Sequence, residues 1–119
     1  TENIHILYWP IEFLFGNDSS TNISTLTLGS RDDPARISDL SENNLYKLAK
    51  SDAAYYLSHP KIKINMGTPH SGSLLLAHAL LDKAGVMGFE RREYNYDYDK
   101  AINKFMDKKI HVIFFIVGS

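Results

Sequence analysis

Gly67 and Gly72 stand five residues apart in the segment INMGTPHSGSLLLAHALLDKAGV, which runs from Ile64 to Val86. Thr68, Ser71 and Ser73 add hydroxyls to the same turn, and His70 adds a titratable ring. Three chemistries use such residues. A nucleotide phosphate loop requires G-x-x-x-x-G-K-[ST], whose Lys reaches the phosphates and whose last hydroxyl holds Mg²⁺. Here Ser73 takes the Lys position and Leu74 the hydroxyl position, so both functions are missing. A serine nucleophile on an elbow requires G-x-S-x-G. Around Ser71 those glycine positions hold Pro69 and Ser73. His70 is next in sequence, but adjacent side chains diverge, so it does not signal a base. A small-anion site requires only the free N–H groups and positive dipole end of a helix start. The glycines let a ligand approach the backbone, and several neutral donors can hold a carboxylate without a cation. The residues fit this third chemistry best. The structural alternative is that Thr68 or Ser71 merely caps a helix while the glycines turn the chain.

Other candidates are weaker. His78 and Asp82 are four apart and could share a metal, but two ligands without a third read as a solvated helix face, so no metal site is assigned. Tyr94, Tyr96 and Tyr98 alternate with period two, which suggests packing on one strand face rather than a sugar platform. Asn17-Asp18-Ser19 and Asn22-Ile23-Ser24 match the glycosylation pattern, which carries no weight if the source is bacterial.

The elements that must hold the turn follow from periodicity. Ile4 to Phe15 is rich in β-branched and aromatic residues and reads as a strand interrupted at Trp9-Pro10. Gly16 to Ser20 is a turn cluster, and Asn22 to Gly29 reads as a short strand. Asp39 or Ser41 is expected to cap a helix over residues 42–57, stopped by His59-Pro60. In Lys61 to Met66, Ile62, Ile64 and Met66 face one way. The turn comes next, then a helix from Ser71 to Ala84 with Leu74, Leu75, Ala77, Leu81 and Ala84 as its apolar stripe and Gly85 as its stop. FERREYNY reads as a strand, Asp97 or Asp99 opens a helix over residues 98–107, and Ile110 to Val117 is a buried central strand. The order β-turn-α-β-α-β predicts an α/β domain: a mostly parallel sheet with flanking helices, and ligands at the carboxyl ends of its strands.

Composition bounds the function. The chain has 119 residues, 44% apolar and 23% charged, which fits one globular domain over residues 1–119. A formal charge of −1 with scattered Lys and Arg gives no footprint for nucleic acid. The absence of cysteine excludes disulfides and thiolate metal sites and leaves the compartment open. No run of 18 apolar residues is present to span a bilayer. The chain opens in strand-like sequence rather than a signal peptide and stops just after an apolar run. The expectation is an excised lobe, with targeting signals and a partner lobe outside it.

The segment from Ile64 to Val86 resembles the v-x-G-x-x-x-S-G-[ST] stretch of TAXI-type solute-binding subunits of TRAP transporters, and more loosely the NMT1-like binding proteins. YNYDYDKAINKFMDKKIHVIFFIVGS is similar to that family's strand, helix and apolar strand ending in Gly, and IHILYWPIEFLF to its strand between the lobes. The likeness covers Ile4 to Phe15 and Lys61 to Ser119. Two positions depart: His70 replaces a small residue before Ser-Gly, and His111 stands where the family has Asp.

The resemblance implies one lobe of a type II periplasmic-binding-protein-like fold. It implies a non-enzymatic, cofactor-free, periplasmic or extracytoplasmic solute-binding domain. The solute would be a small organic anion, an amino acid or dicarboxylate, with its carboxylate against Thr68, Ser71, Gly72 and Ser73 and with His70 nearby. Tyr8 and Trp9 would lie near the hinge and cover the ligand; core packing is their structural alternative. The partners implied are a second lobe of the same chain and the transporter's membrane subunits. A ligand-sensing or protein-interaction domain of the same fold is the alternative function.

Overall fold

A computed structural model describes residues 2–10, 14, 22–31 and 42–118. The expected turn at Gly16–Ser20 and the expected caps Asp39 and Ser41 lie outside them. Among the described residues a five-stranded sheet has the order β2-β1-β5-β3-β4. Its strands are β1 (Glu2–Tyr8), β2 (Ser24–Arg31), β3 (Ile64–Asn65), β4 (Glu93–Tyr94) and β5 (Val112–Gly118). The helices are α1 (Glu42–Lys50), α2 (Asp52–Leu57), α3 (Gly72–Lys83) and α4 (Tyr98–Met106). A 3-10 helix, Phe89–Arg92, precedes β4.

The sheet is mixed, not mostly parallel. β3 pairs in parallel with both β4 and β5, but β1 runs antiparallel to β2 and β5. The β1–β5 ladder is continuous from Glu2↔Gly118 to Tyr8↔Val112, whereas each parallel ladder has two residue pairs. The β-α-β-α-β order constrains only the second half of the chain. Nothing local to β1 declares which way it lies against β5.

Side-chain alternation splits the core into two layers. Ile4 and Ile6 of β1, Leu28 of β2, Ile64 of β3, and Val112 and Phe114 of β5 pack with Leu48, Tyr56, Leu57, Leu76 and Leu80. The opposite face carries Ile113 of β5 beneath Ala101 and Phe105 of α4, with Trp9 and Ile110. Therefore α1, α2 and α3 cover one face and α4 the other. On the α4 side Leu7 of β1 packs against this second layer, while His5 Nδ1 lies 3.0 Å from Thr27 Oγ1 of β2. β5 is the central strand, as its apolar run requires.

The helix expected over residues 42–57 is two helices. Ser51 is extended (φ −91°, ψ 161°), its N–H donates to Leu48 O at 3.1 Å, and its hydroxyl donates to the same carbonyl at 2.7 Å. The break has a packing reason. Leu48 and Ala53 are five apart and about 140° out of phase on a straight helix, yet both are buried, with Tyr56 and Leu57. Resetting the phase at Ser51 turns both helices' apolar sides to the sheet.

α3 ends as its Gly predicts. Gly85 adopts φ +76°, Val86 N–H donates to Leu81 O at 3.0 Å, and Gly85 N–H to Asp82 O at 3.1 Å, the paired bonds of a Schellman motif. Its buried stripe is Leu76, Ala77, Leu80 and Leu81, one step round from the expected one, and Leu75 is exposed. FERREYNY is a 3-10 turn and a two-residue strand rather than one strand. Gly88 enters it with φ +70°, and Arg92 closes it through its side chain.

Candidate functional site

At the carboxyl end of β3 the chain must leave the sheet and start α3. Gly67 makes this exit with φ +109°, and a Cβ there would stand 2.8 Å from Ser71 Oγ. Thr68 to Ser71 then form a turn closed by Ser71 N–H to Thr68 O at 3.1 Å. Pro69 takes the second position and His70 the third with φ +67°, the pattern of a type II turn in which glycine is the usual third residue. His70 therefore holds a left-handed backbone at an exposed corner.

Ser71 caps α3, its Oγ accepting from Leu74 N–H at 3.1 Å. The N–H groups of Gly72 and Ser73 have no acceptor within the helix by its geometry. The Ser73 hydroxyl is engaged differently. It reaches Met66 O at 3.1 Å and Phe114 O at 3.3 Å, tying the start of α3 to β3 and β5. That proton is shared between backbone carbonyls, so what Ser73 offers a ligand is its amide. A Cβ at Gly72 would meet nothing within 4 Å.

A second loop, from β4 to α4, faces this turn. Asn65, 1% exposed, links the two: its Nδ2 donates to Tyr96 O at 3.2 Å and its Oδ1 accepts from Tyr96 N–H at 2.8 Å. Met66 N–H donates to Tyr94 O at 2.9 Å, and Asn95 Nδ2 donates to Gly67 O at 3.1 Å and to Glu93 Oε2 at 2.8 Å. Asp97 caps α4, Oδ1 accepting from Lys100 N–H at 2.9 Å.

Between the two loops lies an open pocket of about 460 Å³. Thr68, Ser71 and Ser73 line it from the first loop and Tyr96, Asp97 and Tyr98 from the second; Ile113 and Phe115 of β5 line it from the α4 face, and Phe114 and Ile116 from the α3 face. The position follows from topology. β3 and β4 are neighbours, but β3 leads to α3 on one face and β4 to α4 on the other. The diverging exits leave a crevice beyond the carboxyl end of β3, beside Ile113 to Ile116 of β5, the end at which ligands of open α/β sheets bind.

The expected residues separate into three groups. Thr68, Ser71 and Ser73 line the pocket. His70 and Gly72 lie in the same turn, exposed, outside its lining. Tyr8 and Trp9 are elsewhere: Tyr8 pairs with Val112 at the start of β5, so both sit at the opposite end of the sheet. Trp9 is 4% exposed, stacks on Phe105 at 5.2 Å, and its Nε1 donates to Phe105 O at 2.7 Å. Tyr8 packs against Tyr56 at 5.2 Å. Core packing, the structural alternative for these two, is what the geometry gives them.

His78 pairs with Glu93, Nε2 to Oε1 at 2.8 Å, rather than sharing a metal with Asp82. No group of three metal-ligating side chains occurs among the described residues. Tyr94 and Tyr96 stack at 5.9 Å. Asn65 and Asp97 are pocket residues that sequence patterns did not single out. An Asn among apolar strand residues just before a Gly turn is a usable signal for the first; the second reads from sequence only as a cap.

His111 is buried at the start of β5, its Nδ1 accepting from Lys63 N–H at 3.0 Å. Burial, then the charges of Lys63 and His59, hold its pKa below the ordinary imidazole value. Arg92, 8% exposed, donates to four backbone carbonyls: His59 O at 2.9 Å, Ile62 O at 3.1 Å, Met87 O at 3.2 Å and Gly88 O at 3.3 Å. It fastens the approach to β3 against the approach to β4. No family model, curated protein or solved structure matches this chain.

Proposed function

We propose that this chain is a non-enzymatic binding domain for a small organic anion of the amino-acid or dicarboxylate class. The carrying observation is the pocket beyond the carboxyl end of β3, beside Ile113 to Ile116 of β5, walled on one side by the hydroxyl-lined start of α3. The ligand's carboxylate lies against the amides of Gly72 and Ser73 and the hydroxyls of Thr68 and Ser71. Its remainder rests on the apolar lining. Ser71 serves as a helix cap, a structural use of its oxygen that favours binding over nucleophilic catalysis.

The likeness of the turn to the TAXI segments suggests the setting: one lobe of a type II periplasmic-binding-protein-like fold, delivering solute to a TRAP-type transporter outside the cytoplasm. Such proteins close two lobes around the ligand, so a single lobe binds weakly. Thr68→Val tests the polar wall, because it removes an exposed hydroxyl and keeps the side chain's shape. We expect calorimetry with 3-phenylpropionate to show binding weaker by about 1 kcal/mol, with an unchanged melting temperature. Unchanged affinity would count against the carboxylate position.

A further inference from the structure

We infer that the ligand carries a protonated amine as well as a carboxylate, making it an amino acid with an apolar or aromatic side chain rather than a dicarboxylate. The inference rests on the binding reading above and narrows its ligand class. Asp97 carries it. Among the described residues lining the pocket, Asp97 alone bears a formal charge, and none is Lys, Arg or His. One of its oxygens is held by Lys100 N–H, which fixes the carboxylate at the start of α4.

Two ammonium groups of α4 stand over the ring of Tyr96 without pairing with Asp97. Lys100 Nζ and Lys104 Nζ lie 5.0 and 5.7 Å from the centre of the Tyr96 ring. Among the described residues Asp97 takes part in no ion pair within 4 Å. A dicarboxylate would thus bring two negative charges to a lining that, among the described residues, already holds one and has no cationic side chain of its own. Like charges brought close together disfavour each other, and the second carboxylate would gain no opposite charge from this lining. A zwitterion meets both ends: its carboxylate at the start of α3, its ammonium at Asp97.

The apolar lining sets the third feature. Tyr98 is 49% exposed, and its ring centre lies 5.3 Å from that of Phe115 at a 60° tilt. With Ile113, on the same face of β5 as Phe115, these rings form a surface suited to an apolar or aromatic side chain, and an aromatic face beside a carboxylate also favours an ammonium. A volume of about 460 Å³ accommodates such a molecule.

The test is calorimetric titration of the intact chain with L-phenylalanine, 3-phenylpropionate and glutarate, repeated on Asp97→Asn. Asn caps helices as well as Asp, so this variant keeps the fold; its melting curve checks that. We expect phenylalanine to bind about tenfold more tightly than 3-phenylpropionate, and glutarate to bind weakest. Asp97→Asn should weaken phenylalanine about tenfold and leave 3-phenylpropionate unweakened. If 3-phenylpropionate or glutarate binds as tightly as phenylalanine, or if Asp97→Asn leaves phenylalanine unaffected, the amine is refuted while the carboxylate reading stands. If none of the three binds, both fall.

Discussion

The two glycines of the turn do different work, although their spacing makes them look like a pair. Gly67 is required by the fold: its φ of +109° disfavours any other residue, and a Cβ would collide with Ser71 Oγ. Gly67→Ala is expected to cost about 1–3 kcal/mol in urea unfolding. Gly72 is not required. It opens α3 with free space around it, so Gly72→Ala should leave stability unchanged or raise it by up to about 1 kcal/mol. If ligand lies against that backbone, the same substitution weakens binding by crowding it. A variant as stable as the parent but poorer in binding separates the functional from the structural use of this glycine. His70 is the converse case, a side chain in a glycine position. His70→Gly should raise the unfolding free energy by about 1 kcal/mol; a loss would show that the ring contributes a contact worth more than the strain.

Among the strands and helices, what the sequence disclosed was whatever rests on local chemistry. The Ser71 cap, the Gly85 stop, the Asp97 cap and the apolar run of β5 are signals carried by adjacent residues, and each formed where its residues placed it. What stayed hidden depends on distant partners. The direction of β1 is fixed by its ladder with β5, over a hundred residues away for its first pairs. The break at Ser51 is fixed by the phase between Leu48 and Ala53 relative to a sheet built elsewhere. The short β4 is fixed by Arg92, whose four acceptors come from residues 59 to 88. The candidate site divides the same way: its α3 wall was legible, its α4 wall was not. Arg92→Met should therefore cost about 2–4 kcal/mol in equilibrium unfolding, since it strips buried carbonyls of a charged donor. A loss below about 1 kcal/mol would mean that those carbonyls find other partners.

The protein as a unit responds to acid through His111. Burial first, and then Lys63 and His59, lower its folded-state pKa below 6.5. In the window between that lowered value and 6.5 the unfolded chain binds the proton and the folded chain does not, so stability rises with pH. This contribution is complete above about 6.5 and is lost as the pH falls toward the folded value. Melting temperatures should drop on acidification from about pH 7 to about pH 5. His111→Asn, which keeps an acceptor near the position of Nδ1, should flatten that dependence. An equally steep profile in the variant would assign it to other groups.

The binding reading turns on a carboxylate held at the start of α3, in the crevice between the β3–α3 and β4–α4 loops. Backbone amide NMR detects such a contact directly, by titrating the intact chain with 3-phenylpropionate and, as a control, with 3-phenylpropanol. Saturable shifts are expected at Thr68, Gly72, Ser73 and Tyr98 with the acid, and much smaller shifts at the α3 amides with the alcohol. Equal shifts with both, or shifts confined to other parts of the chain, would contradict a carboxylate site at this helix start.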